Sequence, residues 1–445
     1  MKKTAAFLSL GCKVNSYETE AMREMFEKAG YETVDFKEIA DVYVVNTCTV
    51  TNIADRKSRQ MLHQAKKRNP EAIIAAVGCY VQASEEALLE DSAVDIVVGN
   101  NKKSDIVLMV ERYQGDLKKE ELIADIASEQ EYEELNVSET SDKTRAFIKI
   151  QDGCNRFCSY CIIPYVRGRA RSRGGEDILR EIKELVQKGY QEFVLTGIHI
   201  SSYGLDLMSE EDKNQSKMPL ADLITKVSFI EGVERIRLGS LEPGIITRDF
   251  VEVIASVKQF CPHFHLSLQS GCDTVLKKMN RHYTAQEFYE ITLLLKEHFE
   301  NPAFTTDVIV GFPGETAEEF EETKKFVQKV GFSGIHVFKY SKRAGTKAAQ
   351  MTDQIPEDIK NQRSSELISI ADRMSEEYKS LFMGKIEKIL IEEEIMIESN
   401  LYQIGHNERY IKLAVQSDTV STNHIVTVKV ICKLTDEIML CEIID

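Results

Sequence analysis

Cys154, Cys158 and Cys161 stand as C-N-R-F-C-S-Y-C, directly after the apolar alternating run Ala146-Phe147-Ile148-Lys149-Ile150. Three thiols spaced C-x3-C-x2-C on one short loop can grip three irons of a cubane [4Fe–4S] cluster. The fourth iron then has no protein ligand, and that open corner is where chemistry can happen. Structural zinc asks for four ligands, commonly in two-residue-gapped pairs, and no fourth Cys or His lies nearby in sequence. A disulfide loop would leave one thiol over.

A second set of thiols is spread over the first hundred residues. Thr4–Leu10, Asp41–Thr47 and Ala72–Val77 read as strands, and they end at Gly11-Cys12, at Cys48 and at Gly78-Cys79. Helical stretches at Ser16–Ala29 and Ala54–Arg68 separate them, and a fourth strand follows at Val94–Val98. This alternation means a parallel sheet with βαβ crossovers. In such a sheet Cys12, Cys48 and Cys79 all lie at the carboxyl edge, the usual ligand crevice. They could hold a second cluster, again with one open iron; the alternative is three buried structural thiols. Asn15 and Asn46, beside these cysteines, could reach cluster sulfurs or simply cap the loops.

The remaining sequence supplies elements to position these thiols. At 445 residues the chain should form about two to four domains. Residues 1–115 make the first, and 116–143, rich in Glu and Asp, read as a solvated, partly helical connector. From 144 the alternation resumes. Strands are predicted at Ala146–Ile150, Glu192–Thr196, Arg235–Gly239, His263–Leu268, Phe304–Val310 and Ile335–Lys339, with helices between them. Six units imply a partial (βα)6 TIM-like barrel over 144–373, working at its strand C-termini. Five short strands, Lys388–Glu393, Leu401–Ile404, Tyr410–Val415, Ile425–Cys432 and Met439–Ile443, predict a small all-β barrel over 374–445. The fold class is therefore α/β with a C-terminal β barrel.

Hydrophobic residues make up 43% of the chain, and no apolar run approaches the length of a membrane span. The short apolar stretch near Met1 lacks an A-x-A cleavage site and reads as a first strand. Ten cysteines, partly at metal-ligand spacing, fit a reducing cytoplasm, so the expected location is cytoplasmic. A net charge of −16 argues against a chain-wide nucleic-acid surface while leaving room for a local basic patch.

The Cys154–Cys161 loop resembles the signature of the radical S-adenosylmethionine superfamily. Together with the upstream cysteines, the six βα units and the terminal barrel, it resembles the methylthiotransferase family over essentially the whole chain. Gly11-Cys12-Lys13-Val14-Asn15-Ser16-Tyr17-Glu18 is most similar to the subgroup acting on N6-threonylcarbamoyladenosine at position 37 of tRNA. The resemblance implies two [4Fe–4S] clusters and S-adenosylmethionine as cofactors. Cys154, Cys158 and Cys161 would bind the cluster that generates the 5′-deoxyadenosyl radical. Cys12, Cys48 and Cys79 would hold the auxiliary cluster that carries sulfur to C2 of adenine. Tyr160 matches the aromatic position against the cofactor adenine, with core packing as its alternative. Gly174, Gly175 and Glu176 match the glycine-rich stretch near the methionine amino group, and equally a helix start. Ser240 and Glu242 sit where the family contacts the cofactor ribose or methionine, and Gly311-Phe312-Pro313-Gly314 would turn the chain beneath the adenine. His199 reads as a structural histidine.

The terminal barrel resembles the TRAM domain, an OB-like module that this family uses to hold tRNA. Residues 375–445 nevertheless carry 13 acidic and 7 basic side chains, a net of −6. A basic stripe of Lys385, Lys388, Arg409 and Lys412 is the expected RNA surface there, unless the module is partly structural. Arg167, Arg169, Arg171 and Arg173, four arginines within seven residues, are expected to touch RNA or cofactor, against a reading as salt bridges. The partners implied are the anticodon loop of tRNA and a reducing electron donor such as flavodoxin or ferredoxin, with no membrane and no assigned sulfur donor. The alternatives are the same chemistry on isopentenyladenosine tRNA or on a ribosomal-protein aspartate, a radical enzyme on a small molecule, and a non-catalytic iron–sulfur RNA-binding regulator.

Overall fold

The computed structural model describes residues 2–116, 118–138, 144–209, 217–417 and 422–444. The N-terminal sheet has six strands in the order β2-β1-β3-β4-β5-β6, parallel throughout. They are β1 (Thr4–Ser9), β2 (Glu32–Val34), β3 (Val42–Thr47), β4 (Ile73–Gly78), β5 (Ile96–Val98) and β6 (Glu120–Leu122). Helices α1 (Lys13–Lys28), α2 (Asn52–Arg68), α3 (Cys79–Ala83), α4 (Glu85–Leu89) and α5 (Ile106–Asp116) connect them. The central strands β3 and β4 are buried along their whole length, as expected where both faces of a parallel sheet are covered. Register pairs Ser9 with Asn46 and Thr47 with Gly78, so β1, β3 and β4 end level.

The second unit is the partial barrel. Strands β7 (Arg145–Asp152), β9 (Glu192–Gly197), β10 (Arg235–Leu238), β11 (His263–His265), β12 (Ala303–Val310) and β13 (Gly334–Lys339) follow one another in parallel. Isolated bridges Ile236–Phe260 and Leu241–Leu266 join its two sheets between β10 and β11. A two-residue strand, β8 (Arg171–Ser172), turns back antiparallel on the end of β7. The helices are α6 (Ile163–Val166), α7 (Gly175–Gln187), α8 (Pro219–Ser228), α9 (Arg248–Ser256), α10 (Asp273–Lys278), α11 (Ala285–His298) and α12 (Ala317–Val330). Thr284 with Glu287 and Thr316 with Glu319 form capping boxes that start α11 and α12. Alternate residues of each strand build the layer beneath the helices: Ile148 and Ile150, Phe193 and Leu195, Val308 and Val310 belong to one apolar core with Ile178, Ile182 and Leu185 of α7. Between them Phe147, Lys149 and Gln151 face the other way.

A long helix, α13 (Glu357–Ser380), leads into a closed barrel of order β14-β15-β16-β18-β17. Its strands are β14 (Ile386–Ile397), β15 (Asn400–His406), β16 (Lys412–Val415), β17 (Ile425–Lys433) and β18 (Ile438–Ile443). Because α13 runs across residues 373 and 374, the change from core to barrel falls within a helix. Leu367 and Met374 pack on the central core, while Tyr378 packs on the terminal barrel.

The acidic connector differs from its sequence reading. Its residues 117 and 139–143 lie outside the described residues. The rest is docked: Glu120–Leu122 adds the sixth strand, Ile126, Leu135 and Val137 are buried, and Tyr17 donates its hydroxyl to the Leu135 carbonyl at 2.6 Å. The acidic side chains face outward or pair, as when Glu133 accepts from the Ser104 amide at 2.8 Å. Composition showed the charges, whereas the few apolar residues that set the path are too widely spaced to give a period.

Candidate active site

Cys12 caps the start of α1, Cys79 opens α3, and Cys48 follows β3. The two crossovers are pinned locally. Ser58 of α2 donates to the Cys48 carbonyl at 3.2 Å and accepts from the Cys48 amide at 3.3 Å. Asn15 donates to the carbonyls of Leu10 at 2.8 Å and Thr47 at 2.9 Å, tying the first two cysteine loops together. Asn46 spends its amide on the Asn15 carbonyl and the Thr19 hydroxyl. Asn46 is therefore a loop cap, whereas Asn15 ties the loops and also accepts from the Cys12 thiol at 3.6 Å. Gly11, at φ +100°, passes so near Cys48 that a Cβ there would lie 2.8 Å from its Sγ.

These three thiols share one electrostatic environment. Burial pushes the Cys48 thiol up to about 11, and Cys79 and Cys12 add to the effect. Cys12 touches solvent but lies in a concavity deep enough that burial raises its thiol too, with Arg167 opposing and Cys79 reinforcing. The buried Cys79 accepts from Arg167 Nε at 3.2 Å and from Asn100 Nδ2 at 3.5 Å. Thiols raised as those of Cys12 and Cys48 are stay protonated near neutral pH unless a cation replaces the proton, and bound iron is such a cation.

The second trio lies on the loop after β7. Gly153, at φ +69°, is required there, because a Cβ would sit 1.9 Å from the Arg169 carbonyl oxygen. Cys154 donates its amide to the Gly168 carbonyl at 3.0 Å, and its sulfur accepts from the Arg156 amide at 3.4 Å. Cys158 accepts from Arg281 Nη1 at 3.2 Å. Burial raises Cys154 to about 11 and Cys161 to about 12, each with a contribution from Cys158. Both trios thus fit three-thiolate iron–sulfur ligation: thiols close enough to act on one another's charge, with N–H donors on the sulfurs of Cys79, Cys154 and Cys158.

Glu242, on the loop four residues beyond β10, organises the mouth of the barrel. Its carboxylate pairs with Arg156, with Arg281 Nη2 at 3.2 Å and with His199 Nε2 at 2.9 Å. Burial pushes this acid up, but the His199 hydrogen bond and the arginines win and hold it at about 2. Glu242 is therefore an anionic hub for three cationic or protonatable side chains, and one of them, Arg281, reaches the cysteine loop. Tyr160 is partly buried, and its ring meets Phe312 edge-on at 6.4 Å, which brings the Gly311–Gly314 turn to the same place. Ser240 is exposed at the strand end. Gly174 caps α7, with Gly175 and Glu176 in its first turn and Glu176 exposed.

Sequence reasoning did not find Arg281 or Arg156, and left His199 aside. Arg281 lies beyond a helix rather than at a strand end, so strand-end logic passes over it. On the wall formed by β11, β12 and β13, His265, Asp307 and His336 gather with donor atoms within 4.8 Å of one another. Their signal was available, as polar residues alternating with buried ones along a strand.

The arginine run is corrected by the structure. Arg167, Arg171 and Arg173 are fully buried and cannot present guanidinium groups to RNA. Arg173 pairs with Glu181 and reaches the Tyr17 hydroxyl at 3.3 Å, and Arg171 donates to the Arg167 carbonyl at 3.0 Å. Only Arg169 of the four is exposed, and it lies over the Phe157 ring at 4.6 Å. In the terminal barrel, Arg409 donates to the carbonyls of Glu300 and Asn301, and so fastens the barrel to the core instead of forming an RNA stripe. Lys385 lies 3.7 Å from Glu300 and Lys412 3.1 Å from Glu393, while Lys388 stays exposed.

Comparison with known proteins agrees with this geometry. Residues 4–99 match the Uncharacterized protein family UPF0004, and residues 148–327 match the Radical SAM superfamily. The threonylcarbamoyladenosine tRNA methylthiotransferase MtaB of Bacillus subtilis is 44% identical, over 96% of this chain and 94% of its own. The MtaB of Aquifex aeolicus is 40% identical, over 90% and 95%. A tRNA-2-methylthio-N(6)-dimethylallyladenosine synthase of Clostridium botulinum is 38% identical, over 86% and 84%. Among solved structures, the radical S-adenosylmethionine methyltransferase TsrM of Kitasatospora setae shares the fold at TM-score 0.55 and 13% identity, covering 76% of this chain and 73% of that one. With two converging cysteine trios on such a scaffold, the chain belongs to the radical S-adenosylmethionine methylthiotransferases, transferases that work with [4Fe–4S] clusters and S-adenosylmethionine.

Proposed function

We propose that the protein methylthiolates C2 of N6-threonylcarbamoyladenosine at position 37 of tRNA, forming 2-methylthio-N6-threonylcarbamoyladenosine. The observation that carries the substrate is the 44% identity, end to end, to a relative named for threonylcarbamoyladenosine tRNA. The dimethylallyladenosine-type relative of Clostridium botulinum matches less closely and over less of the chain.

In this reading Cys154, Cys158 and Cys161 hold the radical-generating cluster, and Cys12, Cys48 and Cys79 the auxiliary one. When bound, the first cluster and S-adenosylmethionine supply one-electron chemistry able to break an unactivated C–H bond. The chain's own residues do the rest. Arg281 holds Cys158 against the ionised Glu242, which fixes the loop. Tyr160, packed on Phe312, offers an aromatic face to the cofactor adenine, and Gly174 and Gly175 leave room for its methionine end. Ser240, next to Glu242, offers its hydroxyl to the ribose. His265, Asp307 and His336 give the modified base a polar wall within the barrel. An adenosine in an anticodon loop is already single-stranded, which limits the cost of bringing it there.

The TRAM-like barrel contributes to holding tRNA through Lys388 and Lys385, together with Arg169 near the cluster loop. A low-potential protein such as flavodoxin or ferredoxin would deliver electrons, and the work is placed in the cytoplasm. Among the described residues no helix is long and apolar enough to cross a membrane. Nucleoside mass spectrometry of total tRNA from cells lacking the protein, beside complemented cells, tests the proposal. Loss of the methylthio nucleoside with accumulation of its unthiolated precursor is expected; an unchanged nucleoside profile would overturn the substrate.

A further inference from the structure

Arg167 links the two cysteine trios. Its guanidinium is fully buried, and each of its nitrogens is engaged. Nη1 donates to Glu18 and Asp152 at 2.9 Å, Nη2 to Asn15 Oδ1 at 2.6 Å and to Glu18 at 3.1 Å, and Nε to Cys79 Sγ at 3.2 Å. Its main-chain neighbour Gly168 accepts from the Cys154 amide. One residue therefore touches an auxiliary ligand with its side chain while the next holds the first cysteine of the other trio.

The charges around it do not cancel. Glu18 also binds Lys103 at 3.2 Å and Lys149 at 2.7 Å, and Lys149 reaches Asp152 at 2.7 Å. With Arg171, which acts on Asp152, and Glu133, which acts on Lys149, both also buried, four buried cations face three buried carboxylates. A lone buried charge is costly, and this network is complete only if an anion faces it. The group that faces Arg167 Nε is the Cys79 sulfur, which Asn100 also addresses, with Lys103 in turn donating to Asn100 at 2.7 Å. Cys79 as an iron-bound thiolate supplies that anion.

We propose that Arg167 is a positioning residue for the auxiliary cluster, which clamps Cys79 and raises the potential at which that cluster accepts an electron. A donor on a ligand sulfur and an uncancelled positive charge both favour the more negative, reduced cluster. The inference rests on the reading that Cys12, Cys48 and Cys79 hold a cubane cluster. It assigns Arg167 a role in redox poise instead of RNA contact.

The test uses the full-length chain carrying Cys158→Ala, so that paramagnetic signals come from the auxiliary site alone. Dithionite in the presence of mediators supplies the single electron for each cluster reduction, followed by electron paramagnetic resonance. Arg167→Lys keeps a charge but loses the Nε donor. Arg167→Gln combined with Asp152→Asn removes one cation and one anion, leaving the charge surplus intact while deleting the donor. Both should lower the midpoint potential, and an unchanged or raised midpoint overturns the proposal. A measurement on the parent needs no arginine variant to fold: with 15N-arginine incorporated, the reduced cluster should show a nitrogen-15 hyperfine coupling, and its absence overturns the proposal equally. If the Cys158→Ala parent holds no cubane cluster, the failure belongs to the ligand assignment and not to Arg167.

Discussion

Each cysteine trio should fail in its own way. Cys158→Ala removes a ligand of the radical-generating site and should abolish reductive cleavage of S-adenosylmethionine, read as loss of 5′-deoxyadenosine by chromatography. Cys48→Ala should leave cleavage in place but stop sulfur insertion, read by nucleoside mass spectrometry. Equal loss of cleavage in both variants would contradict the division of labour. Gly153→Ala is a sharper probe, because it leaves every ligand untouched. A Cβ there meets the Arg169 carbonyl at 1.9 Å, and φ +69° adds strain of about 1–3 kcal/mol. The loop must move, so iron at the first trio should fall while iron at the second remains. Full iron occupancy and full cleavage in that variant would mean that the loop tolerates displacement.

At the level of elements, positions of strands and helices follow from alternating periods, and so the level ends of β1, β3 and β4 could be read from Thr4–Leu10, Asp41–Thr47 and Ala72–Val77. Whatever depends on partners distant in sequence could not be read. Arg167 and Glu18 are 149 positions apart, and nothing local tells a buried salt-bridge arginine from one that awaits phosphate. The same holds for Leu135 and Val137, which pack on Tyr17 and Ala21 of α1 from within a run of acids. The connector is consequently a structural strap, and Leu135→Asp should release it. Limited proteolysis should then cut within 118–138 many times faster than in the parent chain. Similar cutting rates would restore the solvated connector read from composition.

On the scale of the whole molecule, the terminal barrel closes the end of the partial barrel opposite the cysteines, and one buried acid organises that closure. Glu192, at the start of β9, pairs with Arg145 at 2.8 Å, Arg237 at 3.0 Å and Arg235 at 3.4 Å. Those arginines reach onward into the terminal barrel: Arg145 to the Tyr410 hydroxyl, Arg235 to the carbonyls of His406 and Lys388, and Arg237 to those of Glu408 and Asn407. Burial alone would push Glu192 up, but Arg237 and Arg145 prevail and hold it at about 2, below the ordinary 4.5. A carboxyl whose pKa is depressed by folding contributes stability that is complete above its unfolded value and lost as pH falls through the folded one. Glu192→Gln should therefore destabilise the protein by about 3 kcal/mol at pH 7. The difference from the parent should be constant from pH 8 to about 5, then shrink between about 4.5 and about 2. Urea unfolding of the apoprotein measures this without interference from acid loss of iron. A difference that grew on acidification would have the wrong sign for an ionised Glu192. No difference at pH 7 would mean that the three arginines hold the terminal barrel through their own contacts to it, without help from Glu192.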